Sequence, residues 1–194
     1  MTLPRAPFWF LRHGQTDYNA QGLSQGAIDI PLNETGRAQA RAAAPLLLGR
    51  GIVGIVASPM QRARETAEIV NETLGLPLAF EPDLREVVFG GMEGQPLEPW
   101  FGDWIEGRLT PPGAESFADI TARAGTALRS ILARPGPLLL VSHGAFFRAV
   151  RGLLGVSLEG RTANAAPILC APDGEGWRTA MAAELDEAVA PGAM

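Results

Sequence analysis

Phe8-Trp9-Phe10-Leu11-Arg12-His13-Gly14 and Leu138-Leu139-Leu140-Val141-Ser142-His143-Gly144 contain the only two histidines of this 194-residue chain. Each reads as a short apolar run that ends in His-Gly. A run of this kind, bounded by glycine, is the pattern of a strand buried on both faces of a parallel sheet. Ligands of open α/β sheets gather at the carboxyl ends of such strands, so the two imidazoles are expected to meet over one sheet edge. The arginine before the first histidine suits an anion better than a metal ion, because a guanidinium is a permanent forked donor.

Working outward, residues 15–32 are polar and glycine-bearing, too irregular for a helix and long for a connector. Asn33-Glu34-Thr35 offers caps for a helix that reaches Leu48 and stops at Gly49, with Pro45 as a candidate kink. Residues 52–57 form a β-branched strand. Ser58-Pro59 then supplies a cap and a first-turn proline for a helix over residues 60–74. A short strand is expected at residues 78–80. Residues 81–112 lose periodicity, and within them residues 92–112 read as a lid insertion. Ser116 precedes Phe117, Ile120, Ala124, Ala127, Leu128, Ile131 and Leu132, whose spacing marks an amphipathic helix ending near Pro135. A helix over residues 145–154 would aim its free N–H groups at the second His-Gly. Strands at residues 168–171 and 177–183 complete or edge the sheet, and residues 186–194 read as a frayed tail. The alternation predicts one α/β domain over residues 1–194, a three-layer αβα arrangement around a largely parallel sheet.

Composition narrows the chemistry. The net charge of −5 argues against nucleic acid, which calls for a basic stripe. The apolar runs fall far short of the roughly 20 residues that cross a bilayer. The N-terminal stretch lacks the apolar core and cleavage site of a secretory signal, so a cytoplasmic setting is expected. Cys170 has no partner for a disulfide and lies in an apolar stretch, as a buried structural thiol does. Two histidines and one cysteine without ligand spacing give no metal site, and no cofactor is expected. All sixteen basic residues are arginine. With no lysine, a Walker-type phosphate loop, a kinase site, a Schiff-base aldolase and a pyridoxal enzyme are excluded.

Five segments, taken in order, give the pattern a family resemblance. Leu11-Arg12-His13-Gly14-Gln15-Thr16-Asp17-Tyr18-Asn19 resembles the N-terminal motif of the histidine phosphatase superfamily, which includes phosphoglycerate mutases and many phosphomonoesterases. Ser58-Pro59-Met60-Gln61-Arg62-Ala63-Arg64-Glu65-Thr66-Ala67 is similar to its second motif. Leu84-Arg85-Glu86 with Phe89-Gly90-Gly91-Met92-Glu93-Gly94 resembles the third. Pro112-Gly113-Ala114-Glu115-Ser116 and Val141-Ser142-His143-Gly144 look like the fourth and fifth. The resemblance implies a phosphoglycerate mutase-like fold and a small phosphate ester as substrate. Met92 stands where the family commonly has tryptophan, and Ala145 where many relatives have a polar residue; both departures bear on the pocket wall.

The chemistry of the residues leads to the same roles. Arg12 and Arg62 follow strand ends and can converge on a phosphoryl group as bidentate donors. Their charge disfavours protonation of His13, which leaves it neutral and nucleophilic for attack on phosphorus. His143 and the helix N-terminus at Gly144 are expected to hold the transferring oxygens. Glu86 is the candidate acid for the leaving alkoxide and base for water, with Glu93 as its competitor. From the family pattern, Asn19, Gln25 and Gly26 are expected to touch substrate. Trp100, Phe101 and Trp104 either select the leaving group or pack the lid. Mutases of the family carry a longer, more basic insertion between acid and second histidine. Here 57 positions separate Glu86 from His143 and hold only Arg108, Arg123, Arg129 and Arg134. A phosphatase is expected over a mutase, and over a non-enzymatic phospho-ligand binder, which would have lost one of the five site residues. The leaving group and the oligomeric state stay open.

Overall fold

Alternate residues of the first strand belong to different cores: Phe8 and Phe10 to one, Trp9 and Leu11 to the other. That division is what a period of two produces when helices cover both faces of a sheet. The computed structural model describes residues 3–189. The strands are β1 (Phe8–Arg12), β2 (Gly54–Ala57), β3 (Leu78–Phe80), β4 (Leu138–Ser142), β5 (Ile168–Asp173) and β6 (Gly176–Met181). The helices are α1 (Asp17–Gln21), α2 (Glu34–Leu47), α3 (Gln61–Leu74), α4 (Trp100–Ile105), α5 (Phe117–Leu132), α6 (Gly144–Leu154) and α7 (Ala182–Val189). Helices α4, α5 and α6 pack on one face of the sheet, and α2, α3 and α7 on the other.

The sheet order is β3-β2-β4-β1-β5-β6. The first four strands are parallel, and β5 and β6 are antiparallel additions. Strand β4 lies between β1 and β2, and the chain leaves β1 and β4 toward opposite faces, to α2 and α6. This is a topological switch point, where a crevice opens outside the carboxyl ends. The register pairs Arg12 with Ser142, so His13 and His143 are the next residues on neighbouring strands. The His13 N–H still donates to the Ser142 carbonyl at 2.9 Å.

Several boundaries differ from expectation for identifiable reasons. Residues 15–32 contain α1, held by a capping box between Thr16 and Asn19; five residues are too few to show helical period. Helix α3 starts at Gln61 with Met60 as its N-cap and no side-chain cap; the Ser58 hydroxyl accepts from Met60 N at 3.3 Å and lies 2.8 Å from His143 Nε2. The expected lid is folded into the molecule. Trp104 is wholly buried and Trp100 nearly so, their indole N–H groups donating to the carbonyls of Glu115 and Pro96 at 2.9 and 2.8 Å. The tail expected to fray is helical through Val189; residues 190–194 lie outside the described residues. Cys170 is wholly buried, which pushes its thiol well above the usual range. No described helix is long and apolar enough to cross a membrane.

The turn after β1 is fixed by backbone contact. A Cβ on Gly14 would lie 2.4 Å from the Gly36 carbonyl oxygen, and one on Gly36 would lie 2.1 Å from that of Gln15. Asn33 reinforces the approach, its side chain accepting from Gly36 N at 2.9 Å and its N–H donating to Gln15 O at 3.0 Å. Only glycine permits the first turn of α2 to rest on this loop. Gly36→Ala is therefore expected to destabilise the fold by about 1–3 kcal/mol, read as a lower urea midpoint with an unchanged m-value.

Candidate active site

The crevice at the β1–β4 edge has a cavity volume of about 70 Å³ and is lined by Arg12, His13, Asn19, Gln25, Gly26, Arg62, Glu86 and Gly144, together with apolar residues from Leu23 to Phe101. His13 is 1 % exposed. Its Nδ1 lies 2.7 Å from the Gly14 carbonyl oxygen. A carbonyl can only accept, so Nδ1 carries the proton and Nε2 keeps its lone pair. The His143 ring stands 5.3 Å away, centroid to centroid. Its Nε2 is 2.8 Å from Ser58 Oγ, and its Nδ1 is buried with no partner. Both imidazoles are held well below the ordinary 6.5, first by burial and then by the Arg62 charge, with Arg12 adding to both.

The two arginines are anchored from behind. Arg62, wholly buried, donates through Nη1 to Ile28 O and through Nη2 to Gly26 O, each at 2.9 Å. Arg12 donates to Thr162 O at 2.7 Å. Burial lowers Arg12 to about 10, with Arg161 the next cause, Glu86 opposing, and Arg62 adding. The Nε atoms of both arginines, His143 Nδ1 and Gln25 Oε1 are buried polar atoms without hydrogen bonds. Such atoms are costly unless a ligand meets them, and three of the four can donate to an oxyanion.

Glu86 is the only carboxylate on the crevice wall among the described residues. Its Oε2 accepts from Ala145 N at 3.1 Å and its Oε1 from Phe146 N at 2.9 Å. This changes the expected part of the helix terminus: two first-turn donors of α6 hold Glu86, as a carboxylate at a positive helix end should be held. Arg123 fixes the Glu86 segment from outside. It donates to the carbonyls of Asp83 and Arg85 at 2.8 Å and of Glu86 at 3.3 Å, and pairs with Glu115 at 3.0 Å. Glu93 is elsewhere. Its Oε1 accepts from Ala27 N and Phe89 N at 2.8 and 3.1 Å. That oxygen occupies the place where a Cβ on Gly26, at φ +52°, would fall.

Arg12, His13, Asn19, Gln25, Gly26, Arg62, Glu86 and Gly144 are thus gathered at one edge, with the His143 ring beside that of His13. Met92 is off the crevice wall, so its departure from the family pattern does not touch the pocket. Of the aromatics, Phe101 lines the crevice while Trp100 and Trp104 are core. Four contributors escaped the sequence reading. Thr66 Oγ1 accepts from Gly14 N at 3.0 Å. Asn164 donates to His13 O at 2.8 Å and to Asn19 Oδ1 at 3.1 Å. Arg148 and Arg161 line the crevice although both follow His143. Only Thr66 had a signal, its place in the second motif. The arginines between Glu86 and His143 do not supply the wall: Arg108, Arg129 and Arg134 are off it and Arg123 lines a separate pocket.

Paired histidines and arginine forks at the switch point of an α/β sheet define an enzyme that handles phosphoryl groups. The chain belongs to the histidine phosphatase superfamily (branch 1), whose profile matches residues 8–182. It is 39% identical over 142 residues to the uncharacterized phosphatase PhoE of Bacillus subtilis, spanning 72% of each chain. It is 36% identical over 148 residues to the probable phosphoglycerate mutase GpmB of Yersinia enterocolitica, spanning 70% of this chain and 68% of that one. The solved mycobacterial glucosyl-3-phosphoglycerate phosphatase superposes with a TM-score of 0.77 at 31% identity, over 91% of this chain and 97% of that one.

The lowered imidazoles make a stability prediction. Each is neutral in the folded protein and takes up a proton only on unfolding, once the pH is below the ordinary 6.5. Their contribution is complete above that pH and is lost as pH falls, at about 1.4 kcal/mol per pH unit for each histidine. Unfolding free energy from urea titrations should fall with a slope that approaches this value about one pH unit below 6.5, and His143→Gln should remove close to half of it.

Proposed function

We propose that the protein hydrolyses phosphate monoesters through a phosphohistidine on His13. The observation that carries this reading is the His13 tautomer. With Nδ1–H committed to the Gly14 carbonyl, Nε2 is a lone pair at the crevice beside two arginine forks. It attacks phosphorus, the bond from phosphorus to the ester oxygen breaks, and Glu86, which takes up a proton when the anionic ester binds beside it, gives that proton to the departing alkoxide. Water then attacks the phosphohistidine, Glu86 takes a proton from it, and His13 Nε2 leaves with its lone pair restored. The net reaction consumes one water and yields an alcohol and inorganic phosphate. Arg12, Arg62 and His143 supply donors for the phosphoryl oxygens, whose charge must be stabilised throughout a loose transfer. Asn19, Gln25, Gly26 and Gly144 line the space where the ester sits.

Support comes also from the relatives named as phosphatases. The single buried Cys170 fits a reducing compartment, and we assign the activity to the cytoplasm. The similarity to a probable phosphoglycerate mutase, with Arg148 and Arg161 at the crevice, favours mutase action as the second reading. Formation of 2-phosphoglycerate from 3-phosphoglycerate with 2,3-bisphosphoglycerate present, faster than phosphate release, would establish it.

His13→Ala should reduce phosphate release from p-nitrophenyl phosphate to background, and acid-labile label should be trapped on the parent but not on the variant. A variant as active as the parent overturns the nucleophile. Glu86→Gln should lower kcat by about 10²–10⁴-fold for alkyl esters, and by less for p-nitrophenyl phosphate, whose leaving group needs little protonation.

A further inference from the structure

Ser58 is the first residue past β2, and its N–H donates to Val141 O at 2.9 Å. That bond extends the β2–β4 pairing beyond Ala57 and sets the serine side chain beside the end of β4, where His143 follows. Both residues are fully enclosed, at 0 % exposure. A hydroxyl in such a place has one proton to give and two lone pairs to offer, and a buried polar group needs its partners. Met60 N donates to Ser58 Oγ at 3.3 Å, which uses a lone pair and leaves the hydroxyl proton in need of an acceptor. His143 Nε2, at 2.8 Å, is the one side-chain partner that remains for it among the described residues. The hydroxyl therefore donates to Nε2. Burial and the Arg62 charge keep the ring neutral, so its single ring N–H is on Nδ1.

Nδ1 is also the nitrogen that has no partner. His143 is the N-cap residue of α6, a place from which a side-chain acceptor can take a first-turn N–H, yet it makes no such bond. The N–H groups of Ala145 and Phe146 are already taken by Glu86. Nδ1 is thus released from helix capping and free to carry a hydrogen. An enclosed N–H without an acceptor is costly. The ring lies beside that of His13, centroids 5.3 Å apart, so the acceptor that fits is an oxygen of the group His13 attacks. The other tautomer would offer a lone pair to that anion and leave the serine proton unplaced.

We propose that Ser58 is a positioning residue for phosphoryl transfer: its hydroxyl donates to His143 Nε2 and so makes Nδ1–H the donor that meets the transferring group. Both histidines then carry their hydrogen on Nδ1, one held there by a carbonyl acceptor and the other by a hydroxyl donor. They use opposite nitrogens on the phosphoryl group, His13 its bare Nε2 and His143 its Nδ1–H. Ser58 acts through the ring, since its one proton is given to Nε2 and none is left for a substrate. The inference rests on the hydrolytic reading above and assigns the donor nitrogen within it.

Long-range proton–nitrogen correlation spectra of isotope-labelled protein contain two imidazole rings only, and loss of one set of signals in His143→Ala assigns them. At neutral pH the parent's His143 ring should show a protonated Nδ1 and a bare Nε2, a result that needs no Ser58 variant to fold. In Ser58→Ala the hydrogen should redistribute toward Nε2 in that ring, while the His13 ring keeps its pattern. Hydrolysis of p-nitrophenyl phosphate by Ser58→Ala should fall by about 10–10²-fold in kcat, less than the roughly 10²–10³-fold cost of deleting an oxyanion donor outright. Added to His143→Ala, the same substitution should change kcat little, because the two residues act as one unit. A parent spectrum with the hydrogen on His143 Nε2, a Ser58→Ala spectrum matching the parent's, or an equal loss with and without His143 overturns the proposal. Failure of the hydrolytic reading looks different: p-nitrophenyl phosphate hydrolysis would then survive His13→Ala, whatever the tautomers.

Discussion

Parallel pairing of Arg12 with Ser142 brings the ends of two strands level, and everything at the site is arranged around that registry. A slip of one residue would turn Phe8 and Phe10 into the layer now filled by Trp9 and Leu11, and would carry His13 away from His143. Both cores therefore guard the same alignment. The strands are buried on two faces, so the apolar side chains that stabilise the sheet also hold the histidines side by side. No separate device is required to bring residues 130 positions apart into contact.

Burial next to fixed cations sets the chemistry. Arg62 is wholly enclosed, and two loop carbonyls accept from it where a carboxylate might have been expected. Carbonyl anchoring orients the fork while leaving its charge uncancelled. That charge falls on two enclosed imidazoles and keeps them unprotonated. The Gly14 carbonyl then decides which nitrogen of His13 carries the hydrogen. Charge state and tautomer are thus set by different neighbours, and a nucleophile needs both.

Much of this was legible in the chain before folding. The His-Gly strand ends, the arginines near them and Glu86 could be read because strand period, glycine punctuation and ordered motifs are local signals. The sheet was legible for the same reason, down to the three residues of β3. Less was visible where meaning depends on contact. Helix α1 is shorter than a helical period can reveal. Ser58 looked like a helix cap, and its hydroxyl does accept from Met60 N, but it also meets His143, a residue 85 positions away. Trp100 and Trp104 could have packed or selected, and only their enclosure separates them from Phe101. Arg148 and Arg161 carry no motif; they reach the crevice because α6 and the segment after it fold back over the strand edge.

Glu86 caps the helix that His143 begins, and this has a consequence for how the enzyme can change. The carboxyl group, the second histidine and the first turn of α6 form one stiff piece, clamped from outside by Arg123. The segment carrying Phe101 and the segment carrying Arg161 are attached to that piece without being part of it. Leaving groups of different shape can be accommodated by exchanging those attachments while the proton's path stays the same length. One chemical engine can in this way be fitted with many entrances, a division of labour that allows a single scaffold to diversify its substrates without rebuilding its catalytic parts.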